Sequence, residues 1–293
     1  PARDGMSLAL SIDSYVQHQI EAELDLIAEE YQPESACIIV SDPYSGFLLG
    51  LANFPTFDPN RYTKFDQSSH KNRAMTDPIE PGSTFKIVAA SAALEENVVD
   101  IHSEFDCSLP TLRMPNGYVA KLPKDWKTFG VLSVEGIVTY SSNRGAAHLG
   151  TLVGSEKFYD YVRRFGFGEK TGLDIGIDSR GILHPVRNWD GLTLSRMTMG
   201  HAISATPLQI HYAMASVANG GLLMRSQVVS RILDTENKEA VTYGPMVKHR
   251  VISSETARTL SQLLVKTASP GGTAHGAFIS GYRVAGKTGT AQK

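Results

Sequence analysis

Pro81-Gly82-Ser83-Thr84-Phe85-Lys86 runs straight into the apolar stretch Ile87-Val88-Ala89-Ala90-Ser91-Ala92-Ala93-Leu94. That order predicts a helix starting at the serine, with Lys86 one turn along on the same side as Ser83. A serine hydroxyl is a weak nucleophile until a neighbour takes its proton. A lysine serves as that base only where burial or a second cation lowers its pKa. The free N–H groups and positive dipole end of a helix start also favour negative charge developing beside Ser83. The plainer reading of this run is a helix start with Ser83 or Thr84 as its cap. A second Ser-x-x-Lys, Ser68-Ser69-His70-Lys71, sits in a polar stretch with no apolar period after it and reads as a solvated loop.

Two further motifs strengthen the catalytic reading. Ser141-Ser142-Asn143 is the only Ser-x-Asn in the chain and follows Val131-Leu132-Ser133-Val134-Glu135-Gly136-Ile137-Val138, a run that reads as helical. Lys287-Thr288-Gly289-Thr290 follows Gly281-Tyr282-Arg283-Val284-Ala285-Gly286, where β-formers and glycines predict a strand with an open backbone approach. Lys170-Thr171-Gly172 matches the third motif too, but it comes after a glycine-rich connection and a helix expected over about 154–164, which suits a turn. Ser-x-x-Lys, Ser-x-Asn and Lys-Thr-Gly in this order are the set found in serine β-lactamases and penicillin-binding proteins.

The chain resembles the transpeptidase domain of class B penicillin-binding proteins, most closely the cell-division type, with the elongation type left open. The resemblance runs from Leu8-Ala9-Leu10-Ser11-Ile12-Asp13 through Ser41-Asp42-Pro43, Phe57-Asp58-Pro59-Asn60 and Glu80-Pro81-Gly82-Ser83-Thr84-Phe85-Lys86. It continues in Thr206-Pro207-Leu208-Gln209, Ala218-Asn219-Gly220-Gly221, Gly272-Thr273-Ala274 and the run from Val284 to Lys293. It implies a D,D-transpeptidase that cross-links peptidoglycan stem peptides ending in D-Ala-D-Ala and is trapped by β-lactam antibiotics.

In that scheme Ser83 attacks the carbonyl between the two terminal D-alanines, and the amine of a second stem peptide then takes the acyl group. Lys86 is the base and Ser141 relays a proton to the leaving amine, while Asn143 contacts both lysine and substrate. Lys287 adds the positive charge that depresses Lys86 and holds the substrate carboxylate. Thr288, Gly289 and Thr290 complete substrate binding, and the N–H groups of Ser83 and Thr290 form the oxyanion hole.

The resemblance further implies a place on the extracytoplasmic face of the cytoplasmic membrane, with a membrane glycan polymerase and division or elongation proteins as partners. It also implies an anchor and pedestal before this segment, and further strands with a closing helix after it. Gly200-His201-Ala202 departs from the Gly-Gln-Gly of many relatives, and His201 is read as structural. Ser-Thr-Phe-Lys also resembles class D β-lactamases, so a β-lactamase or penicillin-sensor domain is one alternative. A non-catalytic scaffold of a cell-wall complex is another.

Composition sets outer bounds. With 293 residues, 42% hydrophobic and 20% charged, the chain can build one large core or a domain with a subdomain. A net charge of -2 without a basic stripe argues against nucleic acid. No stretch approaches the ~18 apolar residues needed to cross a bilayer. Cys37 opens an apolar run and reads as a core residue, Cys107 lies in a connection, and nothing in their spacing predicts a disulfide. The histidines lack a His-x-x-x-His spacing, so neither metal nor cofactor is expected.

The expected fold is α/β, an antiparallel sheet sandwiched by helices with an inserted, mostly helical subdomain over about 95–267. A helix over about 14–31 carries Ile20, Leu24, Ile27 and Ala28 on one stripe. It leads into two strands around the Asp42-Pro43-Tyr44-Ser45-Gly46 turn. A polar connection follows to Pro81, and the chain returns to strand at Tyr282, closing the sheet.

Overall fold

The computed structural model describes residues 5–113 and 117–291. The chain opens with strand β1 (Ser7–Leu10) and helix α1 (Ser14–Tyr31), whose start is capped by Asp13 accepting from the N–H groups of Tyr15 and Val16. Ile20 and Leu24 on the expected stripe are buried against Ala52, Ala36, Ile38, Val40 and Phe54, whereas Ile27 lies at the exposed edge. Those partners belong to the hairpin of β2 (Ala36–Ser41) and β3 (Leu48–Phe54), paired antiparallel from Ala36 opposite Phe54 to Ser41 opposite Leu48. Asp42 sets the turn by accepting from Tyr44 N–H and from the Ser45 hydroxyl. At Gly46 the backbone is left-handed (φ +78°), and a Cβ there would come 2.4 Å from Arg225 O.

The polar connection contains a short helix, α2 (Arg73–Thr76), and ends in a single 3-10 turn, Gly82–Phe85, that flows into α3 (Lys86–Glu95). Residues 86–93 are all buried, because α3 packs against four later helices. Phe85 anchors the junction, with ring centroids 6.4 Å from Phe158 and 4.9 Å from Phe167.

Four short strands follow: β4 (Glu104–Asp106), β5 (Thr111–Arg113), β6 (Val119–Lys121) and β7 (Val131–Ser133). Then come α4 (Val134–Thr139), α5 (Asn143–Val153), α6 (Ser155–Arg164), α7 (Thr193–Met197) and α8 (Pro207–Ala218). The last part holds β8 (Leu222–Met224), β9 (Val229–Leu233), β10 (Glu239–Thr242), β11 (Val247–Arg250) and α9 (Ser254–Ala268). The helices that enclose α3 are α4, α5, α6 and α9.

The architecture is mixed helix and antiparallel strand, and two expectations need correction. The stretch over 95–267 is not largely helical, since it carries β4 to β11. One of these, β9, reaches back to pair with β1 in a three-stranded sheet of order β1-β9-β10. Within it, Val131–Ser133, expected as helix, pairs as a strand with Glu104–Asp106, because Ser133 caps α4 only from that point on. The second correction concerns the return to strand at Tyr282. Residues 281–291 form no ladder with any described strand, so the β-formers there give an irregular segment, tied to α9 by Gly286 N–H donating to Leu264 O (3.2 Å).

Candidate active site

The nucleophile turn is shaped by close backbone packing. Gly82 is left-handed (φ +54°), its N–H donates to Gly200 O (3.2 Å), and a Cβ on it would lie 2.4 Å from Thr290 O. Only glycine lets the chain carrying Thr288 and Thr290 lie so close to Ser83. The Thr84 hydroxyl donates to Pro81 O (2.6 Å), which tightens the turn from within. Ser83, half-buried, opens onto a cavity of about 660 Å³ that is also lined by Ser141, Asn143, Thr288 and Thr290. Gly289 lies elsewhere. A Cβ on it would lie 2.8 Å from Thr84 Cγ2, and it lines a separate groove behind the turn.

Lys86, at the first position of α3, is almost fully buried at 3% exposure. Its Nζ donates to Ser141 O (2.5 Å), Ser141 Oγ (3.1 Å) and Asn143 Oδ1 (2.6 Å). Burial, reinforced by the charge of Lys287 and opposed by Asp125, lowers the Lys86 pKa to about 7. Lys287 Nζ donates to Ser141 Oγ from the other side (2.8 Å) and to Thr288 O (3.0 Å), and burial lowers its pKa to about 8. One hydroxyl therefore stands between two lysines, each within about a unit or two of losing its proton at neutral pH. Ser141 presents it from a left-handed backbone (φ +57°) at the corner between α4 and α5, a conformation that a non-glycine residue keeps only where its surroundings hold it.

Asp125 does that holding, and sequence reasoning missed it. Its carboxylate accepts from the Ser142 hydroxyl (2.9 Å) and from the N–H groups of Asn143 and Arg144 at the start of α5. Ser142 in turn caps the helix by accepting from Gly145 N–H (2.9 Å). Asn143 Nδ2 donates to Lys124 O (2.6 Å), so its Oδ1 is aimed at Lys86. Arg144 secures the same loop through Pro123 O, Cys107 O and Ser108 O. Next to this brace, Lys127 Nζ lies 4.7 Å from the Trp126 ring centroid, 5.1 Å from Phe129 and 5.4 Å from Tyr140. Trp126, Lys127 and Tyr140 all line the cavity. No pattern in the sequence around Asp125 marks it for this role.

The decoys fall away from the cavity. Ser68 lies in an exposed 3-10 turn, Gln67–His70. The Thr171 hydroxyl is buried on Asp178 (3.0 Å), and Gly172 turns with φ +89°, which makes Lys170-Thr171-Gly172 a structural turn. Both cysteines are free thiols, Cys107 buried and Cys37 half-buried in β2, where burial pushes the Cys37 thiol up to about 11. Among the described residues no group of three or more His, Cys, Asp or Glu is placed to hold a metal, and no helix is long and apolar enough to cross a membrane.

A serine on a helix-start turn that shares its cavity with a hydroxyl held between two depressed lysines is the equipment of a serine acyltransferase. Residues 36–293 match the penicillin binding protein transpeptidase domain family, and the chain belongs to it. Stage V sporulation protein D of Bacillus subtilis is 35% identical over 100% of this chain and 45% of its own length. The probable peptidoglycan D,D-transpeptidase PenA of Neisseria meningitidis is 30% identical over 99% of this chain and 47% of its own. The crystal structure of penicillin binding protein 3 from Mycobacterium tuberculosis complexed with aztreonam matches at a TM-score of 0.90 and 29% identity, covering 100% of this chain and 67% of that one. The chain spans less than half the length of the two sequence relatives.

Proposed function

We propose that this chain is a D,D-transpeptidase unit that cross-links peptidoglycan stem peptides through an acyl-enzyme on Ser83. The observation that carries this reading is the meeting of Lys86 and Lys287 on Ser141 Oγ, at 3.1 and 2.8 Å, in the wall of the cavity onto which Ser83 opens. Neutral Lys86 takes the Ser83 proton as Oγ attacks the carbonyl between two D-alanines. The N–H groups of Ser83 and Thr290 hold the oxyanion, and Ser141 passes a proton to the departing D-alanine amine. Lys287 and Thr288 hold the terminal carboxylate. The amine of a second stem peptide then takes the acyl group and frees Ser83. β-Lactams present the same carboxylate and carbonyl and acylate the same oxygen. The setting proposed is the extracytoplasmic face of the cytoplasmic membrane, beside a membrane glycan polymerase and division or elongation proteins.

Incubation with a fluorescent penicillin, followed by peptide mass spectrometry, tests this directly. An adduct on Ser83 that lasts many minutes is the expected result. An adduct that hydrolyses within seconds would mark a β-lactamase, and no adduct would mark an idle site.

The pH dependence follows from the two lysines. Acylation should rise as pH passes about 7, where Lys86 loses its proton and becomes a base, and fall above about 8, where Lys287 loses the charge that holds the carboxylate. Rates of penicillin acylation measured from pH 5.5 to 9.5 should trace that bell. A flat profile would remove Lys86 as the base.

A further inference from the structure

His201 lines the same cavity as Ser83 but takes no part in the hydrogen bonds that join Lys86, Ser141, Asn143 and Lys287. Two backbones in contact set its place. Gly82 N–H donates to Gly200 O, and a Cβ on Gly200 would lie 2.1 Å from Gly82 O. The residue after each glycine faces the cavity: Ser83 on one chain segment, His201 on the other. His201 Nδ1 lies 2.5 Å from Glu80 Oε2, on the segment that leads into the nucleophile turn. A carboxylate only accepts, so Nδ1 is the nitrogen that donates to Glu80, and in the neutral ring Nε2 carries the lone pair. Nε2 has no hydrogen-bond partner among the described residues.

A carboxylate that fixes an imidazole in the wall of a cavity shared with the nucleophilic serine is an arrangement suited to a general base. Lys86 serves the first half-reaction, and His201 is a second titratable group, on the cavity onto which Ser83 opens. We propose that His201, oriented by Glu80, is the base for the second half-reaction, taking the proton of the amine that attacks the acyl-Ser83 ester. This rests on the transpeptidase reading above. The bond from amine nitrogen to acyl carbon forms as the proton moves to Nε2, and the bond from that carbon to Ser83 Oγ then breaks. Nε2 then gives that proton to the departing Ser83 Oγ, so one proton passes from amine to serine overall and His201 ends neutral. Glu80 is the charged group in contact with the imidazole, and the other titratable side chains lining the cavity are Lys127, Tyr140 and His275.

The two half-reactions are read separately on the whole protein. Benzylpenicillin reports acylation, and a D-alanyl thioester donor with D-alanine as acceptor reports transfer. In His201→Gln, transfer should fall at least ~10-fold more than acylation, with the pH dependence of transfer flattened across the imidazole range. Added imidazole should restore part of the transfer lost in His201→Ala. Glu80→Gln, which keeps the ring but loosens its anchor, should lie between. Transfer and acylation falling together in the His201 variants, or transfer staying at the level of the unaltered protein, would overturn the assignment. Failure of the unaltered protein to acylate at all would instead overturn the acyl-serine reading on which it stands.

Discussion

Lys86→Ala is expected to slow penicillin acylation of Ser83 by ~10³-fold, the range that a positioned general base contributes. Lys86 is buried, its pKa lies near 7, and among the described residues no other titratable group contacts Ser141 Oγ except Lys287, whose partners are Ser141 Oγ and Thr288 O. The truncation also leaves Ser141 O and Asn143 Oδ1 without their lysine donor, at about 1–3 kcal/mol each if water does not enter. Loss of a buried ammonium offsets part of that cost. Lys86→Arg separates base from charge, because a guanidinium stays protonated and should be equally slow. Stopped-flow acylation with parallel thermal melts measures both. A loss below tenfold in a folded Lys86→Ala protein would assign the proton to another group.

Gly82→Ala should cost ~100-fold in acylation through position alone, without touching any group that moves a proton. The added methyl would sit 2.4 Å from Thr290 O and 2.9 Å from Thr290 C, and backbone cannot swing aside as a flexible side chain can. Thr290 must shift, and its N–H with that of Ser83 is the proposed oxyanion pair. Backbone strain from φ +54° adds about 1 kcal/mol. Gly154→Ala supplies the control, because Gly154 has φ +81° but nothing within 4 Å of its Cβ position. It should lower the melting temperature modestly and leave acylation alone. Equal acylation losses in the two variants would show that strain, and not the displaced Thr290, is responsible.

What could be read from the residues divides along a physical line. Local signals worked: the apolar period of α1, the Asp42 turn of the β2-β3 hairpin, and the Pro-Gly start of the nucleophile turn all act within a few residues. The motifs named Ser83, Lys86, Ser141, Asn143 and Lys287; Ser83, Ser141 and Asn143 line one cavity, and both lysines bond to Ser141 behind it. Signals that depend on a distant partner did not work. Tyr282 and Val284 favour strand, yet strand needs a neighbour, and none of the described strands lies alongside. The β9 pairing with β1 joins residues more than two hundred positions apart, which no local pattern encodes. Asp125 has no motif of its own. Its importance comes from where the α4-α5 corner meets the loop before it. His201, read as structural, is indeed hydrogen-bonded, but its position on the cavity follows from the Gly82–Gly200 contact.

A hydroxyl has a single hydrogen and two lone pairs. With both lysines charged, Ser141 Oγ accepts from Lys86 and from Lys287, both lone pairs are occupied, and its hydrogen must point away from them. Once Lys86 is neutral, its two remaining N–H bonds go to Ser141 O and Asn143 Oδ1, which can only accept. Its lone pair then turns to the Ser141 hydrogen. The direction of one O–H bond thus reads out the charge of Lys86, and a rotation about Cβ–Oγ, with no heavy atom moving, reverses the polarity that this wall shows to a bound peptide.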